Sequence, residues 1–161
     1  MNENKKVKKW QWITLLVIVI LGVGLRFYQN YLSDVKVELK NQTLNVLVAR
    51  TIYQQHKGLG GRENLDGYDG MIFPYNSLGK YGFVMRDMKF SIDIVWLANG
   101  VVVDIAPNLP LENVPEAQLT KYYPRKEANL VLELPAGWAD QNSLKIGDKI
   151  ALVHEDLTNI K

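Results

Sequence analysis

The longest apolar run lies near the start of the chain: from Trp10 to Tyr28 the only charged residue is Arg26. As a helix that run is about 28 Å long at ~1.5 Å per residue, close to the hydrocarbon thickness of a bilayer. Trp10 and Trp12 at one end, with Phe27, Tyr28 and Tyr31 at the other, put amphipathic rings where the two interfaces would fall. The pattern predicts a single N-terminal transmembrane helix, a signal anchor, over residues 10–28. A cleaved signal peptide shares the basic and apolar regions and stays as the alternative. Its nearest small-x-small site, Gly22-Val23-Gly24, is followed by Leu25 and Arg26, so the anchor is preferred.

Past the anchor, residues 29–42 mix charged and polar groups without a clear period and read as a spacer. From residue 43 the chain turns to short β-rich runs with turn signals between them. These runs are residues 44–49, then 70–74, 81–88 and 90–105, then 129–134, stopped by Pro135, and finally 146–153, entered through Gly147-Asp148. Thr51, with Gln54 three residues on, is a capping box that predicts a short helix, which Gly58, Gly60 and Gly61 limit to about two turns. Residues 62–69 form a loop, a longer loop carries Pro107, Pro110 and Pro115 towards Lys126, and residues 137–144 can form one helical turn. The pattern predicts an all-β domain, a small barrel or sandwich with one short helix, over residues 43–155. Residues 1–9 are then a basic cytoplasmic tail and residues 156–161 a C-terminal tail.

Asn99-Gly100 between two apolar runs is the strongest short-range hairpin signal and gives a residue-by-residue register. A two-residue loop there opposes Ala98 to Val101, Trp96 to Val103, Val95 to Asp104 and Ile94 to Ile105. Side chains alternate along a strand, so Ile92, Ile94, Trp96, Val103 and Ile105 form one apolar face, read as the core side. Ser91, Asp93, Val95, Leu97, Val102 and Asp104 share the other. In this register Asp93 and Asp104 are diagonal neighbours with Cα atoms roughly 7 to 8 Å apart.

Charge adds a direction. Of 19 basic and 17 acidic residues, five and one fall in residues 1–32, leaving 14 and 16 beyond. Lys5, Lys6, Lys8 and Lys9 flank the anchor, and the positive-inside rule keeps that end cytoplasmic and the domain outside. No basic cluster follows residue 33, so no nucleic-acid partner is expected. The absence of Cys removes disulfides, thiolate zinc sites and Cys nucleophiles together.

Asp93 and Asp104 are the sharpest chemical hint, since paired carboxylates can hold a cation or divide acid and base roles. The plainer reading is two solvated aspartates, or an ion pair of Asp93 with Arg86 or Arg62, and it is preferred. Arg62 and Arg86 can also clamp a carboxylate or phosphate. His56 and His154 lack a metal-binding context and read as surface residues. Tyr68, Tyr75, Tyr81, Tyr122 and Tyr123 fit a ligand groove or a barrel rim equally well. No nucleophile elbow, phosphate loop or metal motif is present, and no catalytic residue, metal or cofactor is assigned.

Gly58-Leu59 with Arg62 shortly after, Gly70-Met71-Ile72-Phe73, Phe83-Val84-Met85, Ile92-Asp93-Ile94, and Glu133-Leu134-Pro135-Ala136-Gly137 before Gly147-Asp148 occur in this order. Over residues 44–153 the chain thereby resembles the bacterial and archaeal family called domain of unknown function 192. It departs from the usual pattern at Gly60, Val84 and Asp87-Met88. The resemblance implies a compact β domain, commonly exported or membrane-tethered, without assigned activity. The leading reading is a non-enzymatic binding or interaction module of the cell envelope, whose partners are the membrane and an envelope glycan, peptide or protein. A hydrolase of envelope polymers using Asp93 and Asp104, and a structural subunit of a membrane assembly, are the alternatives.

Overall fold

Helix α1 (Lys9–Asn30) is apolar on all sides, and every side chain described from Lys9 to Arg26 is exposed. Its 18-residue window Lys9–Arg26 has mean hydropathy 1.5, so one N-terminal helix is long and apolar enough to cross a membrane. The structure is a computed structural model that describes residues 9–153. The chain divides into this helical unit, up to Tyr31, and a folded unit that begins at Leu32.

The folded unit starts earlier than residue 43. Val35, Val37 and Leu39 are buried while Asp34, Lys36 and Glu38 are exposed, the period-two alternation of a half-buried strand. This is β1 (Ser33–Leu39), in place of most of the expected spacer. It turns through Lys40 and Asn41, both at positive φ (55° and 60°), as a two-residue hairpin requires, into β2 (Gln42–Val48). Next come α2 (Ile52–Lys57), β3 (Gly70–Gly79), β4 (Ile92–Ala98), β5 (Val101–Leu109), a 3-10 turn (Glu116–Gln118), β6 (Ala128–Pro135), α3 (Trp138–Gln141) and β7 (Ile150–Leu152).

The strands form a single seven-stranded sheet in the order β5-β4-β6-β3-β2-β1-β7, antiparallel except where β2 runs parallel to β3 after the α2 crossover. The two ends of that order approach each other. Val102 donates its N–H to the Asp148 carbonyl at 2.8 Å, and Ile150 donates to the Gly100 carbonyl at 2.9 Å. The sheet is therefore a half barrel, and the barrel expectation holds over the sandwich. Residues 81–88, expected as a strand, are loop except for a single bridge between Phe83 and Tyr122.

Both faces of the sheet are covered. Val37, Val46, Ile72, Val95, Leu97, Leu132 and Leu134 build the core on one face. On the other, Met71, Phe73, Ile94, Trp96 and Val131 pack under the connecting loops with Leu59, Phe83 and Met85. Strand β4 is buried from Ile92 to Leu97 without interruption, so its alternation carries no polar contrast to pin the register. Ala98 pairs with Val101 and Leu97 with Val102 as expected, but Trp96 then pairs with Asp104, because Val103 is the extra residue of a bulge. Beyond the bulge Val95 faces Ile105 and Ile94 faces Ala106. The bulge puts Asp104 on the Trp96 face of the sheet and leaves Asp93 on the face of Val95 and Leu97. They are not diagonal neighbours.

Candidate functional site

Strand β6 lies between β3 and β4 at the middle of the sheet, with Glu133 paired to Met71 on one side and Ile94 on the other. Alternation sends Leu132 and Leu134 into the first core, and Val131 and Glu133 to the opposite face, among the second. There the loops cover Glu133, which is only 5% exposed. Its Oε2 is sealed from water and accepts no hydrogen bond. Burial raises its carboxyl from the ordinary 4.5 to about 8. Strands β3 and β6 come so close here that a Cβ on Gly70 would stand 2.2 Å from the Glu133 carbonyl oxygen, so only glycine fits.

The cover above Glu133 is built locally. Thr51 Oγ accepts the Gln54 N–H at 3.2 Å, and Gln54 Oε1 accepts the Thr51 N–H at 3.0 Å, completing the expected capping box of α2. Gly58 ends the helix at φ +52° and donates its N–H to the Gln54 carbonyl at 2.8 Å. Arg86, in the loop after β3, ties this end down: its Nη1 donates to the His56 carbonyl at 2.9 Å and its Nε to Glu116 Oε1 at 2.8 Å. The ring of Tyr123 lies over Gly82, where a Cβ would come within 2.4 Å of it.

These pieces enclose a cleft of about 260 Å³. Its walls include Gly58, Tyr75, Phe83, Lys121 and Tyr123, with Glu133 as its buried acid. Tyr75 stacks on Tyr81 with ring centroids 3.5 Å apart. Burial, then the charge of Glu133, then Tyr81, push the Tyr75 hydroxyl up to about 12, so it stays a protonated donor at neutral pH. Lys57, Arg86 and Lys121 add positive charge to the lining, and His56 is an exposed member of it. A buried acid under aromatic walls, with cations around them, is equipped to bind a polar ligand.

The residues singled out in the sequence do not form one site. Asp93 is buried and accepts three backbone N–H groups: Asn108 at 2.7 Å, Gly137 at 3.0 Å and Ala139 at 2.8 Å. Backbone amides, in place of the expected arginine, hold this carboxylate. Asp104 accepts from the Arg125 backbone at 2.6 Å, from Arg125 Nε at 2.9 Å and from the Ile105 N–H at 3.0 Å. Burial pushes the Asp104 carboxyl up, but these hydrogen bonds and the Arg125 charge outweigh it and hold the group below its ordinary value. With separate partners on opposite faces, the two aspartates make no shared acid pair. Arg62 pairs with Asp66 at 3.3 Å, away from the cleft lining, so only Arg86 of the four reaches it. His154 lies outside the described residues. Among the described residues no group of three or more His, Cys, Asp or Glu could hold a metal ion.

Glu133 was legible only as part of a recurring motif. On a strand it alternates to the face opposite Leu132, where an acid normally meets solvent. What buries it is the loop cover, which no local pattern announces.

A family model for DUF192, described as "Uncharacterized ACR", matches residues 35–152. The chain belongs to the DUF192 family. No curated protein matches it. A protein of unknown function from Novosphingobium aromaticivorans has a similar crystal structure, with a TM-score of 0.62 at 28% identity, covering 74% of this chain and 84% of that one. A Sinorhizobium meliloti crystal structure, described as a "putative transcription regulator", has a TM-score of 0.65 at 24% identity, covering 75% of this chain and 95% of that one. The latter likeness shows the fold alone. Of the positions read in the sequence as departures within the family resemblance, Gly60, Val84 and Met88 line the cleft and Asp87 does not.

Proposed function

We propose that the DUF192 domain is a non-enzymatic binding module of the cell envelope, carried outside the cytoplasmic membrane by α1, and that its ligand seats in the cleft against Glu133. The observation that carries this reading is the orphaned acid. A buried polar group without a partner costs roughly 1–3 kcal/mol, more when charged, and a hydrophobic residue at the same position would avoid that cost. Sites that keep such a cost are characteristically functional. The tether rests on the length and hydropathy of α1 and on the lysines before it.

The hydrolase alternative loses its chemical basis with the separation of Asp93 from Asp104. The test is a thermal-shift screen of full-length protein in detergent micelles against envelope glycans, peptides and their fragments, run on wild type and Glu133→Gln. A ligand that stabilises wild type and loses most of that effect in Glu133→Gln is the expected result. Ligands that stabilise both equally would move the site away from the cleft.

A further inference from the structure

The charges around the cleft narrow the ligand class, on the reading that the cleft is a binding site. The lining holds one buried acid, Glu133, and the cations Lys57, Arg86 and Lys121. Arg86 is already engaged by Glu116 and the His56 carbonyl. Lys121 is exposed and makes no ion pair with a described residue. A purely anionic ligand would answer Lys121 but leave Glu133 Oε2 without a donor. A purely cationic one would answer Glu133 but meet the lysines. Tyr75, Phe83 and Tyr123 add ring faces, which attract an ammonium group. The 260 Å³ volume is below the range of about 300–1,000 Å³ typical of drug-sized ligands, so the occupant is small.

We propose that the cleft takes a small zwitterion, a free amino acid or a dipeptide, with its carboxylate on Lys121 and its ammonium group on Glu133, whose carboxyl releases its proton to solvent as the ammonium arrives. Both charges of such a molecule are then paired. Charge-assisted hydrogen bonds of this kind are about twice as strong as neutral ones.

Isothermal titration of the full-length chain in detergent micelles tests this, using the proteinogenic amino acids and their dipeptides with alanine as probes. The best binder is compared with its N-acetyl form, which lacks the ammonium, and its C-terminal amide, which lacks the carboxylate. Each blocked form is expected to bind about tenfold or more weakly, a difference of ~1.4 kcal/mol. Glu133→Gln should weaken the zwitterion by a similar factor without weakening its N-acetyl form. Lys121→Ala, at an exposed position that leaves the fold untouched, should abolish the difference between free acid and amide. An N-acetyl form that binds as well as its parent, with a Glu133-dependent affinity, would overturn the zwitterion and leave the binding reading standing. If no probe binds, the zwitterion is overturned; a glycan found in the thermal-shift screen that depends on Glu133 would then show the binding reading surviving without it.

Discussion

Glu133 gives stability a pH dependence of its own. In the unfolded chain its carboxyl titrates near 4.5, and in the folded one near 8. Below the first value both states hold the proton and pH has no effect through this group. Between the two values the unfolded chain releases its proton while the folded chain keeps it, so stability falls as pH rises. The slope approaches about 1.4 kcal/mol per pH unit, and it levels off above the folded value. Asp104 and Asp148, whose values are lowered, act in the acid range below this window. Urea denaturation of wild type between pH 5 and 8 should therefore show stability declining with pH, and Glu133→Gln should remove the decline. A variant that retains the wild-type slope would mean that Glu133 is solvated and ionised in the folded state.

At the scale of elements, Asp93 joins three segments through its carboxylate: its own strand β4, Asn108 near the end of β5, and Gly137 and Ala139 at the start of α3. Asp93→Ala would orphan three backbone donors together and should cost about 3 kcal/mol or more, measured by chemical denaturation. Asp93→Asn, which keeps one acceptor oxygen, should cost less. The hairpin shows what was legible in the sequence and what was not. Asn99-Gly100 gave the turn and the first two pairs, because those residues have the positive φ the turn needs (50° and 80°). The bulge at Val103 was hidden, since a strand buried on both faces offers no polarity to reveal a slip. Strand β1 had a readable signal, Val35, Val37 and Leu39 alternating with Asp34, Lys36 and Glu38, which the spacer reading passed over. Burial of both faces also sets a prediction: Val95, at 0% exposure, and Trp96, at 1%, are both core residues. Trp96→Ala should cost about 3 to 5 kcal/mol. Val95→Ala should cost about 1 to 2 kcal/mol, from the methyl groups lost. A Val95→Ala variant as stable as wild type would place that residue at the surface.

At the scale of the whole molecule, the proposed function depends on which side of the membrane the folded unit lies. Every described side chain from Lys9 to Arg26 is exposed, in a run where an ordinary soluble helix would bury one stripe. On the proposed reading lipid covers this surface and removes its apolar area from water at roughly 25 cal/mol per Å². Lys5, Lys6 and Lys8 precede it and Lys9 is its first residue; on the proposed reading it is this lysine cluster that keeps the N-terminus in the cytoplasm. Protease added to intact spheroplasts should then digest the domain from Leu32 onwards while a tag at the N-terminus stays protected until lysis. Moving the four lysines to the far end of α1 should reverse the result, because the charge bias and not the domain sets the direction. A domain that resists protease until the cells are lysed would place it in the cytoplasm, and mature protein that begins after Gly24 would make the helix a cleaved signal instead of an anchor.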